Sequence, residues 1–289
     1  MTGPRIGLAL GGGGARGLAH VHVLEALDDL GLPPAAISGC SIGAILGAAR
    51  AAGLTGAEIR ETIAATFRNS GEVWSKLWQI RPTRIGDIFA TGIAQIDAER
   101  TLEVFLPQTI PQDFAALVLP FSVVTADFYD CREVEFTAGP LRTAIAASIA
   151  IPMIFKPVEI AGRVFIDGGV VNPLPFDKLP ADVDLTIAVD VVGGPVRRPG
   201  RSRPTTAESL FGASQILMQS VTAEKLKSRR PDILIKPSVD AFKVLDFLKA
   251  TAILKATAPV RDEVKRKIEA ALEARETDER SAAPLTAAP

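Results

Sequence analysis

The sequence predicts an α/β fold, a mostly parallel sheet covered by helices on both faces, and three observations carry that prediction. Short apolar runs rich in β-branched residues recur along the chain: "RIGLAL", "AAISGCS", "ALVLPFSVVTA", "RVFIDGG", "LTIAVDVV" and "DILIKP". Stretches with apolar residues at helical spacing lie between them. The first two runs each pass through a glycine-containing turn straight into a helical stretch, which makes a β-loop-α unit twice in succession.

"RIGLAL" reads as a buried strand, and a glycine loop joins it to "ARGLAHVHVLEALDDL". That stretch predicts a helix with Val23, Leu24, Leu27 and Leu30 on its apolar side, stopped by Gly31 and Pro33. "AAISGCS" is a second short strand, followed by a helix from about Ile42 to Ala52 that ends at Gly53. "REVEFT" reads as a shorter strand and "KPVEIAGRVFI" as a hairpin turning through Ala161 and Gly162, so some antiparallel pairing is expected.

At 289 residues these elements suit one large domain, or a domain with an inserted cap. Within it, residues 65–96 form a cap-like segment holding Trp74 and Trp78 one helical turn apart, beside Lys76, Arg81 and Arg84. Such a segment either meets a lipid surface or buries both rings in ordinary helix packing. The Pro, Gly and Arg-rich stretch 193–209 predicts a mobile basic loop, 210–273 predicts helices and a strand completing the same domain, and 274–289 predicts a disordered tail.

Composition narrows the function. Of 289 residues, 47% are hydrophobic and 22% charged, the balance of a folded globular chain. Lys and Arg total 32 against 33 Asp and Glu, so no global field draws the chain to nucleic acid, and an anionic partner must be recognised locally. Cys40 and Cys131 lie in no metal-ligand or CxxC spacing, which fits a reducing compartment. No apolar stretch reaches the roughly 18 to 20 residues that span a bilayer and no export signal is read at the N-terminus, so a cytoplasmic protein with at most peripheral membrane contact is expected.

The chemistry concentrates at "GCSIG". Gly39, Ser41 and Gly43 match G-x-S-x-G between a strand and a helix, where glycines two before and two after the serine allow a sharp bend that exposes its hydroxyl. The plain alternative is an N-cap serine in a glycine-rich turn. A second element, "GGGGARG" from Gly11 to Gly17, also satisfies GxGxxG. No acidic residue follows near the end of the second strand, as a dinucleotide site requires, and Leu18 and Ala19 replace the Lys-Ser/Thr of a P-loop. What remains is a loop of bare amides able to hold an oxyanion, with Arg16 available to steady the loop, to meet the developing charge, or simply to lie exposed at the helix start.

A histidine base is hard to find. His20 and His22 both precede Ser41, and two residues apart on one helix they point in different directions and cannot share a metal. Three aspartates stand at strand ends: Asp127, Asp167 and Asp190. Asp167 leads, because Gly168 and Gly169 let the chain turn tightly and expose its carboxylate, which burial must tune upward to serve as a base.

The ordered set "GGGGARG", "GCSIG" and "DGG", with "ASIAIPMIF" shortly before the aspartate, resembles the patatin-like phospholipases over about Arg5 to Val192. The resemblance implies a three-layer α/β/α sandwich and a Ser-Asp dyad that works without histidine. It assigns the nucleophile to Ser41, the proton acceptor to Asp167 and the oxyanion hole to the amides of Gly12, Gly13 and Gly14, with Arg16, Gly39, Gly43, Gly168 and Gly169 in support. It implies no metal or organic cofactor and a lipid acyl ester as substrate. Hydrolysis, acyl transfer to another acceptor, and a catalytically silent module on the same fold remain the three readings; head group, chain length and oligomeric state are not encoded legibly.

Overall fold

The computed structural model describes residues 3–68, 71, 95–197, 200 and 202–282. Strand β1 (Ile6–Leu10) is fully buried and enters the glycine loop, a 3-10 turn over Gly14–Ala19, and helix α1 (His20–Asp29). The sequence predicts one continuous helix from Ala15; its first turn is instead wound tighter, against Ile42 and Val244. Strand β2 (Pro34–Cys40) then leads through Ser41 into α2 (Ile42–Ala51), and Thr55 with Glu58 forms a capping box that starts α3 (Gly56–Phe67). After α4 (Ala98–Phe105) come β3 (Phe121–Asp127), β4 (Arg132–Phe136), α5 (Leu141–Ser148), β5 (Val158–Ile160), β6 (Arg163–Asp167) and β7 (Leu185–Val189). Helix α6 (Thr206–Ser228), β8 (Ile233–Ile235), α7 (Ala250–Thr257) and α8 (Val260–Ala282) complete the described chain.

Successive pairings run β5-β6-β3-β2-β1-β7-β8, with β4 added to β3. The β3-β2-β1-β7-β8 portion is parallel, and β4, β5 and β6 supply the expected antiparallel pairs, β5 and β6 as a hairpin through Ala161 and Gly162. Side chains alternate across β1. Ile6, Leu8 and Leu10 enter the main core with α1, α2, α5 and α8, whereas Ala9 joins Ala188, Leu174, Phe176 and Leu179 on the opposite face, where Leu226 of α6 packs. The small residues on that second face let a connecting segment lie close to the sheet, so the two helical layers are unequal.

Regular structure borders the basic loop and enters the expected tail. Within 193–209, Gly194 N–H donates to Asp240 (2.9 Å), Gly193 O accepts from Gln219 (2.7 Å), and α6 is already helical at Thr206 behind its own Thr205/Glu208 capping box. Helix α8 continues to Ala282, past the tail boundary drawn at 274. Glu, Arg and Ala there are good helix formers, a preference that charge-rich composition masks. Trp74 and Trp78, and with them most of the cap-like segment, lie outside the described residues. Among the described residues no helix is long and apolar enough to cross a membrane.

Candidate active site

The site forms where two strands meet end to end. Strand β2 pairs with β3 up to Cys40 opposite Val124, and β6 takes over at the next position, Asp167 opposite Thr125. Alternate residues of a strand direct their backbone groups to the same side. Pro120 O accepts from Ile37 of β2, and Phe128 N–H donates to Val164 O of β6, an even-numbered residue directly flanking β3 each time. Hence β2 and β6 occupy the same edge of β3 and run toward each other, which brings residues 41 and 167 together from opposite directions.

At the junction the backbone of Ser41 is forced to φ 54° and ψ −122°, a conformation costing on the order of 1 to 3 kcal/mol. Gly39 and Gly43 permit the bend because a Cβ at Gly39 would stand 2.6 Å from Gly43 O, and one at Gly43 would strike Leu10 O. The Ser41 N–H donates to Ser148 Oγ (2.8 Å), whose hydroxyl donates to Val124 O (2.7 Å). Ser41 Oγ donates to Asp167 Oδ2 at 2.6 Å. The other carboxylate oxygen, Oδ1, accepts from Gly169 N–H (2.7 Å), and Gly168 passes against Val124 O where a side chain has no room. Both side chains are buried, Ser41 at 4% and Asp167 at 6% exposure. Desolvation pushes the Asp167 carboxyl up to about 6, and the bonds from Ser41 and Gly169 restrain the rise.

The glycine loop lies alongside. Gly11 N–H donates to Val189 O (3.0 Å), Gly12 N–H to Pro173 O (2.9 Å) and Ala15 N–H to Val244 O (2.7 Å). Of the three amides expected to meet an oxyanion, that of Gly12 is therefore already committed to the chain. Those of Gly13 and Gly14, at the start of the 3-10 turn, have no hydrogen-bond acceptor among the described residues, and both residues line the cavity beside Ser41 and Asp167. Arg16 is buried rather than exposed at a helix start. Its Nε donates to Phe242 O (2.7 Å) and its Nη1 to Val192 O, so it fastens the loop and is not among the cavity-lining residues.

Both histidines are accounted for elsewhere. His20 is fully buried, donates from Nε2 to Gly11 O (2.9 Å), and desolvation drives its pKa down to about 4. His22 bonds Leu254 O and accepts from Arg60. Asp127 pairs with Arg163 (2.6 Å) and caps its own turn, and Asp190 bonds Val192 N–H and Lys236. Only Asp167 of the three strand-end aspartates faces Ser41. Ser148 and the inner face of α6, where Phe211, Gln215 and Met218 close the cavity, were not singled out in the sequence. Ser148 lies inside "ASIAIPMIF", but nothing local marks a serine that acts across 107 residues.

The cavity holds about 60 Å³. A larger but open groove of about 600 Å³ runs past Val221, Glu224, Lys225, Lys227 and Ser228, and neither Ser41 nor Asp167 lines it.

A family model described as Patatin-like phospholipase matches residues 8–180, which include the glycine loop, Ser41, Ser148 and Asp167. Over 201 residues the chain is 36% identical to an uncharacterised NTE family protein of Mycobacterium bovis, a match covering 68% of this chain and 52% of that protein. It is 27% identical to lysophospholipase NTE1 of Candida glabrata, over 89% of this chain and 16% of that one. The chain thus spans about half the length of the mycobacterial relative and far less of the yeast enzyme. Among solved structures, VipD from Legionella pneumophila aligns over 92% of this chain and 67% of its own, with a TM-score of 0.49 at 14% identity.

Proposed function

The chain belongs to the patatin-like phospholipase family, and from that premise we propose that it is a serine acyl hydrolase of lipid esters working through Ser41 and Asp167. The observation that carries this reading is the 2.6 Å bond from Ser41 Oγ to Asp167 in a buried junction that no histidine reaches. Ser41 Oγ attacks the ester carbonyl as its proton passes to Asp167 Oδ2. The oxygen of the tetrahedral intermediate sits on the free N–H groups of Gly13 and Gly14, two donors of a kind worth about 3 to 4 kcal/mol each. Collapse expels the alcohol, which takes the proton from Asp167. A water then gives its proton to Asp167 and its oxygen to the acyl carbon, and Ser41 recovers the proton as the fatty acid leaves.

The same dyad passes the acyl group to another alcohol or thiol if one replaces water, and product analysis with an added acceptor separates the two outcomes. A silent module is separated by a fluorophosphonate probe, which labels Ser41 only if the dyad is active.

The base must be ionised to accept the serine proton, and its pKa is raised to about 6. On a soluble short-chain ester, kcat/KM is expected to fall about tenfold per pH unit below 6 and to level off above 7. A profile that stays flat down to pH 4.5 removes Asp167 as the base.

Ser148 has a positioning role in this reading, since it holds the strained nucleophile by its N–H. Ser38 of β2 provides a matched comparison: it is equally buried and donates to Pro175 O (2.7 Å), away from the nucleophile. Alanine at either position should cost about 1 to 3 kcal/mol of stability. Only Ser148→Ala should also lower kcat, by about 10- to 100-fold at little-changed KM, because the hydroxyl is misplaced rather than absent. Equal kcat in the two variants removes this role.

A further inference from the structure

Helix α6 is built as a cover for the candidate site. One side, Phe211, Gln215 and Met218, lines the cavity, and the space beneath, about 60 Å³, is far below the roughly 300 to 1,000 Å³ of a ligand site. A long-chain ester reaches Ser41 only if this helix moves. Its fastenings are uneven. At the far end Lys225 Nζ holds both oxygens of Asp177 (2.9 and 3.0 Å). Over the site the ties include Gln219 Nε2 to Gly193 O (2.7 Å) and, in the amide orientation that satisfies both groups, Gln215 Oε1 accepting from Arg16 Nη2 (3.1 Å). No ion pair fastens that end among the described residues between Ser209 and Ala223, because none of them is charged.

The outward side of the same turns carries no charge and leaves large apolar side chains bare beside small polar ones. Leu210 and Leu217, seven positions apart and so on one face, are 48% and 66% exposed, and neighbouring Ile216 is 54% exposed. Contiguous exposed apolar side chains on a globular domain mark a contact surface. Charges resume at Glu224, beyond the cavity. On the approach to the helix, Arg197 and Arg203 are exposed.

We propose that the Leu210, Ile216 and Leu217 face of α6 is the surface by which this protein docks on an anionic phospholipid bilayer. Docking draws the site end of the helix away from Ser41 while Lys225 anchors the other end. The choice of a bilayer rests on the acyl hydrolase reading above and on continuity: the helix that carries the bare apolar face also closes the site that the lipid must enter. Arg197 and Arg203 favour anionic head groups over zwitterionic ones.

The test is the triple variant L210Q/I216Q/L217Q in the full chain, with none of the three residues lining the cavity. In a Ser41→Ala background, co-sedimentation with phosphatidylglycerol/phosphatidylcholine vesicles should fall at least tenfold. With Ser41 restored, turnover of vesicle lipid should fall in parallel, while the thermal midpoint and turnover of a soluble short-chain ester stay near wild type. R197Q/R203Q should reduce the preference for phosphatidylglycerol vesicles over pure phosphatidylcholine ones. Unchanged vesicle binding in the triple variant overturns the proposal. So does a wild-type dimer that becomes monomeric in the variant with vesicle binding intact, which gives the face to a second copy. If the wild type turns over no ester but vesicle binding still depends on the three residues, the surface stands and the acyl hydrolase reading falls.

Discussion

Ser41→Ala is expected to lower ester turnover by at least about 1,000-fold and to abolish fluorophosphonate labelling, with the fold and the unfolding midpoint close to wild type. The magnitude follows from the geometry. In the proposed mechanism this hydroxyl forms the acyl-enzyme, and its removal leaves Ser148 still holding the backbone N–H of residue 41. Alanine tolerates φ 54° no worse than serine does, so the strain at the elbow is unchanged. Circular dichroism and thermal unfolding alongside the activity assay check both halves of the expectation; full turnover in this variant removes Ser41 from the mechanism.

Asp167→Asn should inactivate about as completely and should also make the protein more stable. The Asp167 carboxyl titrates at about 6 in the folded chain, against an ordinary 3.8. Between these values the folded state holds a proton that the unfolded state has released, so stability falls as pH rises through this window and stays reduced above it. The cost at pH 7.5 is about 3 kcal/mol. Asparagine carries no charge to desolvate, and with its oxygen accepting from Gly169 N–H its NH2 donates to Ser41 Oγ, so the variant should unfold at a higher temperature at pH 7.5, with the difference vanishing near pH 4. A site that sacrifices stability to hold a base in an apolar junction has this signature. Because the two groups act as a unit, the double Ser41 and Asp167 variant should be scarcely slower than either single one. His20→Ala and His22→Ala should retain most turnover in the protein that folds, although each removes a buried hydrogen bond.

Much of this arrangement is legible in the sequence, and the reason is local. The strands, the elbow and the tight turn after Asp167 are written in short windows of β-branched residues and glycines whose spacing has a steric meaning. What stayed hidden depends on contacts distant in the chain. Gly12 resembles Gly13 and Gly14 in sequence, yet only its amide is taken by Pro173, more than 150 residues away. Arg16 reads as a helix-start residue until Val192 and Phe242 close over it. The role of Ser148 depends on β2 ending where β6 begins along β3, a register that no periodicity encodes. Helix α6 lacks a clear apolar stripe, because one side closes the cavity and the other is bare, so its pattern does not distinguish a core helix from a surface one.

The central claim, a buried aspartate activating the serine without histidine, is tested most directly by the rate of fluorophosphonate labelling followed by intact mass from pH 4.5 to 9. In wild type, His20→Ala and His22→Ala, the account predicts one adduct at Ser41 whose rate rises through a midpoint near pH 6. In Asp167→Asn it predicts no adduct at any pH. Labelling of Asp167→Asn at the wild-type rate, or its loss in either histidine variant that remains folded, would contradict the account.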